Sequence, residues 1–162
     1  MTRRPPRRSP NPPAGSPRAA ALRLLGRRDY TREEITTRLV ARGYDVDLAR
    51  AAVVALVADG SIDDRRTARA HVRTAVEIKH RGRLRIMREL EARGIARDIA
   101  RAAVDEIAPG EDARAIRRFL DRTRRSADPT PAERRRLFQQ LLRRGFQADE
   151  IAKALKDTDQ DE

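Results

Sequence analysis

The chain has 162 residues, a formal net charge of +12 and few aromatic residues, with three Phe, two Tyr and no Trp. It contains no cysteine, which excludes disulfide bonds and thiolate metal sites and leads us to expect a cytoplasmic protein. No apolar run approaches the roughly 20 residues that span a bilayer, and Arg23 interrupts the apolar segment nearest the N-terminus, so neither a membrane helix nor a signal peptide is predicted.

Residues 1–17 are rich in proline and arginine and contain no acid, which predicts a disordered basic tail. A first three-helix repeat is predicted over residues 18–60, where Ala, Leu, Arg and Glu dominate and strand formers are rare. Its second helix starts at the capping box that Thr31 forms with Glu34, and Asp47 is the expected N-cap of its third helix.

A second three-helix repeat is predicted over residues 61–109. It opens with Asp63 and Asp64, which are suited to a helix N-terminus, and its first helix is expected to run to about His80. Gly82 is interpreted as the residue that breaks this helix. The repeat ends at the Pro109–Gly110 boundary.

A third three-helix repeat is predicted over residues 110–156, beginning with acids that suit a helix N-terminus. A proline-marked loop follows its first helix, and Thr130 with Glu133 forms a second capping box. Residues 157–162 form an acidic tail that we expect to fray.

One short pattern, a leucine followed three residues later by Arg-Gly and an apolar residue, occurs three times at a spacing of 51. Its glycines are Gly43, Gly94 and Gly145, and each is expected to have φ > 0 just after a helix ends. A fixed period of this length indicates a tandem repeat. The prediction is an all-α protein, three tandem three-helix repeats that form an elongated curved array.

The residues that could support catalysis do not form a recognisable set. His71 and His80 stand nine positions apart on one predicted helix, a spacing that places them on different faces, and no carboxylate accompanies them at ligand spacing. Every glycine is at a helix end or in a loop, so no phosphate-binding loop is predicted. We therefore expect no enzymatic activity, no metal and no cofactor.

Arginine supplies nearly all of the positive charge, and the excess suggests an acidic or polyanionic partner. The candidate partner-binding residues lie on the first two helices of the second repeat and on the first helix of the third. They are Arg66, Arg69, Arg73, Lys79, Arg81, Arg83, Arg85, Arg88, Arg114, Arg118, Arg122 and Arg125. Surface solvation explains any single one of these residues equally well.

Several segments, taken together, resemble the RecX family over about residues 19–156. They are RDYTREEI at 28–35, LVARGY at 39–44, GSIDD at 60–64 followed by RTA at 66–68, KHRG at 79–82 and RGI at 93–95. The signature residues of this resemblance are Asp63, Asp64, Gly82 and Gly94. Ser61 and Thr67 depart from the family pattern, which usually has aromatic residues at these positions.

The resemblance implies a fold of three tandem three-helix repeats and a regulator of the RecA recombinase. RecX proteins bind along the filament of RecA on single-stranded DNA and inhibit ATP hydrolysis, strand exchange and coprotease activity. The partners implied for this chain are the RecA filament and single-stranded DNA, contacted directly or through RecA by a monomer in the cytoplasm. Recombination, DNA repair and the SOS response are the processes that such a regulator would affect.

Two other functions are compatible with the same residues. The short helices and the basic charge suit a non-specific DNA-binding module, although no recognition helix and no aromatic platform for stacking bases is evident. A helical scaffold for another acidic partner is the second alternative. Comparing the affinity for bare single-stranded DNA with the affinity for RecA-coated DNA separates the first alternative from a RecA regulator.

Overall fold

The structure, a computed structural model, describes residues 14–123 and 130–157. These residues form nine α-helices and no strand, which confirms the all-α class. The helices are α1 (Pro17–Leu25), α2 (Arg32–Ala41), α3 (Val46–Ala58), α4 (Asp64–Glu77), α5 (Arg83–Ala92), α6 (Arg97–Asp105), α7 (Glu111–Thr123), α8 (Pro131–Arg144) and α9 (Ala148–Asp157). Most of the predicted N-terminal tail (1–13), the segment 124–129 with Arg125, and residues 158–162 of the acidic tail lie outside the described residues.

The helices follow one another in threes, and each set of three encloses its own aliphatic core. The three cores draw on residues 20–62, 68–107 and 115–154. The predicted three-helix repeats are therefore confirmed. By its contacts the chain divides into two compact units, and the division falls between Thr67 and Ala68 in α4. We call the N-terminal part unit 1 and the C-terminal part unit 2.

Unit 1 packs α1 and α2 against α3 around Leu24, Ile35, Leu39 and Leu56. The predicted capping box at Thr31 is present, because its hydroxyl accepts from the backbone N–H of Glu34 while the Glu34 carboxylate accepts from the backbone N–H of Thr31. Two orphan N–H groups at the start of α2 are thereby satisfied. The helix start that was read from sequence is confirmed.

The predicted N-cap at Asp47 is wrong. Asp45 caps α3, since its Oδ1 accepts from the backbone N–H groups of Asp47 and Leu48 at 2.9 and 3.1 Å. Asp47 lies in the first turn, as Asp98 does in α6 and Asp149 in α9. An acid repeated there stabilises a helix through the macrodipole, without supplying a cap hydrogen bond.

The end of α4 also differs from the prediction. The helix stops at Glu77, three residues before His80, and His80 has φ = 47°. The backbone N–H of Arg81 then donates to the carbonyl of Ala75 at 3.0 Å, so the chain folds back against the last turn. Gly82 does not break α4. It is the N-cap of α5, in extended conformation with φ = −78° and ψ = 160°.

The third repeat packs α7 and α8 against α9, with Phe146 among its most buried side chains. Its second helix starts at the predicted capping box, in which Thr130 and Glu133 exchange hydrogen bonds. None of the described helices is both long enough and apolar enough to cross a bilayer.

The three repeated glycines all have positive φ, at 92° for Gly43, 76° for Gly94 and 88° for Gly145, which confirms the prediction. Each ends its helix in the same way, because the N–H of the next residue donates to the carbonyl of the leucine five positions earlier, at 3.1–3.3 Å. This is the Schellman arrangement, which needs a left-handed residue after the helix.

Candidate partner-binding surfaces

Most of the predicted basic residues lie in unit 2, where two concavities separate them into different environments. The first, the apolar groove, has a cavity volume of about 620 Å³ and an apolar floor formed by Val72, Val76, Ala103 and Ile107. Its charged rim contains Arg69, Arg73, Glu77, His80, Glu106, Glu111 and Arg118. The floor comes from α4 and the end of the second repeat, and α7 supplies part of the rim.

The rim of the apolar groove is balanced in charge, with three arginines and three glutamates among its described residues. Arg69 Nε lies 2.9 Å from Glu106 Oε1, and Glu111 accepts from Arg114 at 2.8 Å and from Arg118 at 2.7 Å. These hydrogen bonds hold the pKa of the Glu111 carboxyl below its usual value. Several residues predicted as a basic face therefore surround a groove with little net charge.

The second concavity, the basic pocket, has a volume of about 520 Å³. Its described lining consists of Lys79, Arg81, Arg85, Phe119, Gln140, Arg143 and Arg144. Five of these seven side chains are cations and none is an acid. Arg143 and Arg144 were not among the predicted residues, because α8 contributes them from a different repeat.

Glu89 organises one side of the basic pocket. Its carboxylate accepts hydrogen bonds from Arg81 and from Arg85 Nε, the latter at 2.9 Å. It also lies 3.1 Å from His71 Nε2. Burial disfavours the charged form of Glu89, but the hydrogen bonds from Arg85, Arg81 and His71 outweigh it and lower the pKa of Glu89. Burial lowers the pKa of His71, so this side chain is a neutral partner near pH 7.

Arg83 has a structural role and is not among the described lining residues of either concavity. Its guanidinium donates to the carbonyls of Val104, in the last turn of α6, and Ile107, just past its end, at 2.9 Å each. It also lies 3.6 Å from the buried carboxylate of Asp112. Burial raises the pKa of Asp112, and the charge of Arg83 opposes that rise. Arg83 is thus held by contacts within unit 2.

A close backbone contact joins the second and third repeats beside the basic pocket. Gly82 N–H donates to the carbonyl of Arg144 at 2.9 Å, and Leu84 N–H donates to the carbonyl of Gly145 at 3.1 Å. A Cβ on Gly82 would stand 2.4 Å from the Gly145 carbonyl, which is too close for any side chain. The signature glycine Gly82 is therefore required by a contact distant in sequence.

The remaining predicted residues have local contacts. Arg66 lies 3.6 Å from Asp29 in unit 1, and Arg88 and Arg122 each donate to a carbonyl one turn earlier in their own helices. The two signature acids, Asp63 and Asp64, are structural. Asp63 Oδ1 accepts from two backbone N–H groups at the start of α4, and Asp64 accepts from the N–H of Arg32 at 3.0 Å. Among the described residues, no three potential ligands are grouped as a metal site.

Comparisons with known proteins agree with this architecture. The family model described as "RecX, first three-helix domain" matches residues 18–56, and "RecX, second three-helix domain" matches residues 63–104. The chain is 37% identical to "Regulatory protein RecX" of Halorhodospira halophila, over 90% of this chain and 89% of that protein. It is 35% identical to the protein of the same name from Chromohalobacter salexigens, over 86% of this chain and 91% of that one.

Solved structures share the fold. The crystal structure of RecX from Lactobacillus salivarius has a TM-score of 0.79 and 24% identity, and covers 88% of this chain and 94% of that chain. A second crystal structure, of a regulatory protein RecX, has a TM-score of 0.75 and 22% identity, covering 87% of this chain and 72% of that chain. At these identities the likeness concerns the fold alone.

Proposed function

Because this chain belongs to the RecX family of regulatory proteins, we propose that it binds the filament of RecA on single-stranded DNA and restrains its activity. The observation that carries the proposal is the relationship itself, which extends over nine tenths of the chain. The regulator acts in the cytoplasm as a monomer, without catalysis of its own. It inhibits the ATPase, strand-exchange and coprotease activities of RecA, and thereby modulates recombination, DNA repair and the SOS response.

The apolar groove is the surface that we assign to the RecA protein. Val76 is partly exposed on its floor, above the buried core residues Val72 and Ile107, and protein interfaces combine an apolar centre with a polar rim. Arg73 on the rim is exposed and has no ion pair with another described residue. A partner that covers the groove would remove water from this guanidinium, and a carboxylate of the partner could then form a charge-assisted hydrogen bond with it.

A titration of RecA ATPase activity on single-stranded DNA tests the proposal. We expect the unaltered chain to inhibit turnover in a concentration-dependent manner. The double variant Arg69→Glu with Arg73→Glu places two repulsive charges on the rim, and we expect the inhibitory concentration to rise about tenfold or more, which is about 1.4 kcal/mol.

The matched control is Arg97→Glu with Arg101→Glu, which changes the net charge equally on exposed α6 residues that line neither concavity. This control should inhibit nearly as well as the unaltered chain. If the folded groove variant inhibits as well as the control, the groove is not the RecA surface. Absence of inhibition by the unaltered chain would overturn the proposed function itself. Removing residues 1–17 in the same titration measures the contribution of the basic tail.

A further inference from the structure

We infer that the basic pocket is a direct binding site for the phosphodiester backbone of single-stranded nucleic acid. The site is built from residues of two different repeats and needs no protein partner. It goes beyond the proposed regulation of RecA, because it gives the chain a nucleic-acid contact of its own. The two ideas can fail separately, since one concerns the apolar groove and the other the basic pocket.

The first argument is that the pocket contains cationic side chains that form no ion pair with a described acid. Lys79 and Arg143 are exposed, and neither side chain forms an ion pair with another described residue. Arg81 and Arg85 share the carboxylate of Glu89, so the five described cations of the pocket and this acid together carry a charge of about +4. Guanidinium groups fixed by a carboxylate are pre-oriented for a phosphate oxygen on their free edge.

The second argument separates a phosphate from an acidic protein surface. Phe119, which lines the pocket, is only 8% exposed, and the Arg144 guanidinium lies over its ring at 4.7 Å from the centroid. The ring is therefore shielded, and the pocket offers neither an apolar anchor for a protein side chain nor a free face for stacking a base. Contacts to the sugar–phosphate backbone, without sequence preference, are what such a lining provides.

The third argument concerns the shape of the ligand. The pocket is a concavity of about 520 Å³ whose cations come from the segment between α4 and α5, from α5 and from α8. A flexible single strand can turn consecutive phosphates into such a concavity. A duplex holds its phosphates on a stiff convex cylinder and presents them only to the edge of the pocket.

The fourth argument is that the walls are held in place before any ligand binds. The hydrogen bonds from Gly82 to Arg144 and from Leu84 to Gly145 fix the start of α5 against the end of α8. Arg85 Nη1 adds a third link to the carbonyl of Arg143 at 3.0 Å. A preformed site loses less conformational entropy on binding, so few contacts suffice for measurable affinity.

The test is fluorescence anisotropy with a labelled oligothymidylate, without RecA, over a range of salt concentrations. The double variant Lys79→Glu with Arg143→Glu alters two exposed side chains, so the fold should be preserved, which circular dichroism can verify. We expect affinity to fall about tenfold or more, and the slope of log K against log salt to decrease by about 1.4, or about 0.7 for each lost phosphate contact. The neutral variant Lys79→Ala with Arg143→Ala should show the same slope change.

The control Arg97→Glu with Arg101→Glu carries the same change in net charge and should lose much less affinity. Equal losses in the two double variants would show that only overall charge matters and would overturn the site. Competition by polyglutamate as effective as that of the oligonucleotide, at equal charge, would assign the pocket to an acidic protein instead. Tighter binding of a duplex, or full displacement by millimolar inorganic phosphate, would overturn the assignment to a single strand.

Discussion

The apolar groove and the basic pocket take similar numbers of arginines from one unit and acquire opposite characters. The groove has three arginines and three glutamates on its rim over an apolar floor. The pocket has five cations and no acid among its described lining, and its only aromatic ring is covered by Arg144. The difference lies in the acids, because Glu106 and Glu111 pair with rim arginines, while Glu89 is the one carboxylate among the described residues that pairs with pocket arginines.

This comparison shows that the number of arginines on a helix does not give the charge of its surface. Arg69 and Arg81 belong to adjacent segments. Arg69 is paired with Glu106 at the end of α6, whereas Arg81 lines the basic pocket, where cations outnumber acids. An ion pair at 2.7–2.9 Å removes most of the field that an arginine would direct at a distant anion. Recognition of an anion therefore depends on where unpaired cations converge.

The largest effect is expected from Gly82→Ala, which should disrupt the basic pocket and leave the groove floor less affected. The new Cβ would stand 2.4–2.5 Å from the backbone of Gly145 and Phe146, and backbone cannot move aside as a flexible side chain does. We expect unit 2 to lose about 3 kcal/mol or more of unfolding free energy, and oligonucleotide binding to fall with it. Urea denaturation and anisotropy measure the two losses.

Gly26→Ala is the control for this substitution. Gly26 has φ = −64°, and its nearest backbone atom would lie 3.6 Å from the added Cβ. Alanine is compatible with that conformation, so the stability should change by less than about 1 kcal/mol. A Gly82→Ala variant as stable as Gly26→Ala would mean that the contact between the second and third repeats is not close.

The next effect in size concerns a cation that belongs to neither concavity. Arg83→Ala removes donors from the carbonyls of Val104 and Ile107 and leaves Asp112 without its ion pair, so we expect a loss of about 2–3 kcal/mol. Asp112 has a raised pKa, and removing Arg83 should raise it further. A carboxyl whose pKa is raised by folding binds its proton more tightly in the folded state. The contribution of Asp112 to the free energy of unfolding is therefore fully present below its unfolded pKa, near 3.8, and is lost as pH rises through its folded pKa. The destabilisation should therefore be smaller in acid than at pH 7.

Arg88→Ala is the matched control on the same helix, because Arg88 is exposed and, among the described residues, donates only to the carbonyl of Leu84. Its stability should change by no more than about 0.5 kcal/mol. Replacing Asp112 by Asn in the Arg83→Ala background should restore part of the loss, since the orphaned charge disappears. If Arg83→Ala behaves like Arg88→Ala, Arg83 is a free surface cation and belongs with the binding residues.

The features that could be predicted from sequence are those whose cause is local. The capping boxes at Thr31 and Thr130 depend on residues three positions apart, and the Schellman turns at Gly43, Gly94 and Gly145 depend on one helical turn. The repeat count follows from their spacing. Even the wrong N-cap at Asp47 is displaced by only two positions, because Asp45 is a second aspartate near the helix start and its side chain accepts from the N–H groups of Asp47 and Leu48.

The features that could not be predicted depend on contacts between distant segments. The sequence alone suggests that Gly82 breaks a helix, whereas the structure shows the backbone of Gly145 packed against it. Arg143 belongs to the pocket only because α8 ends beside α5, and Arg83 looks like its neighbours until its carbonyl partners are known. Helix periodicity places arginines on a face, but it does not say which of them meets an acid from another helix.

The smallest effect should come from turning the groove into a second basic surface. Glu111→Gln removes the acid that pairs with both Arg114 and Arg118 among the described residues, and the rim then carries more arginines than glutamates. In the background of Lys79→Glu with Arg143→Glu, we expect oligonucleotide affinity to recover about two- to threefold at low salt. The gain should disappear as salt screens the released charges.

Asp121→Asn is the control, because it changes the net charge by the same amount on α7, and Asp121 is exposed without an ion pair to another described residue. A general effect of net charge would raise affinity equally in both variants, whereas release of paired arginines raises it more in Glu111→Gln. Equal gains would show that the glutamate does not neutralise the groove, and the contrast between the two concavities would then rest on their apolar lining alone. A larger gain for Glu111→Gln means that a single carboxylate keeps the groove from attracting nucleic acid and leaves it available to a protein partner.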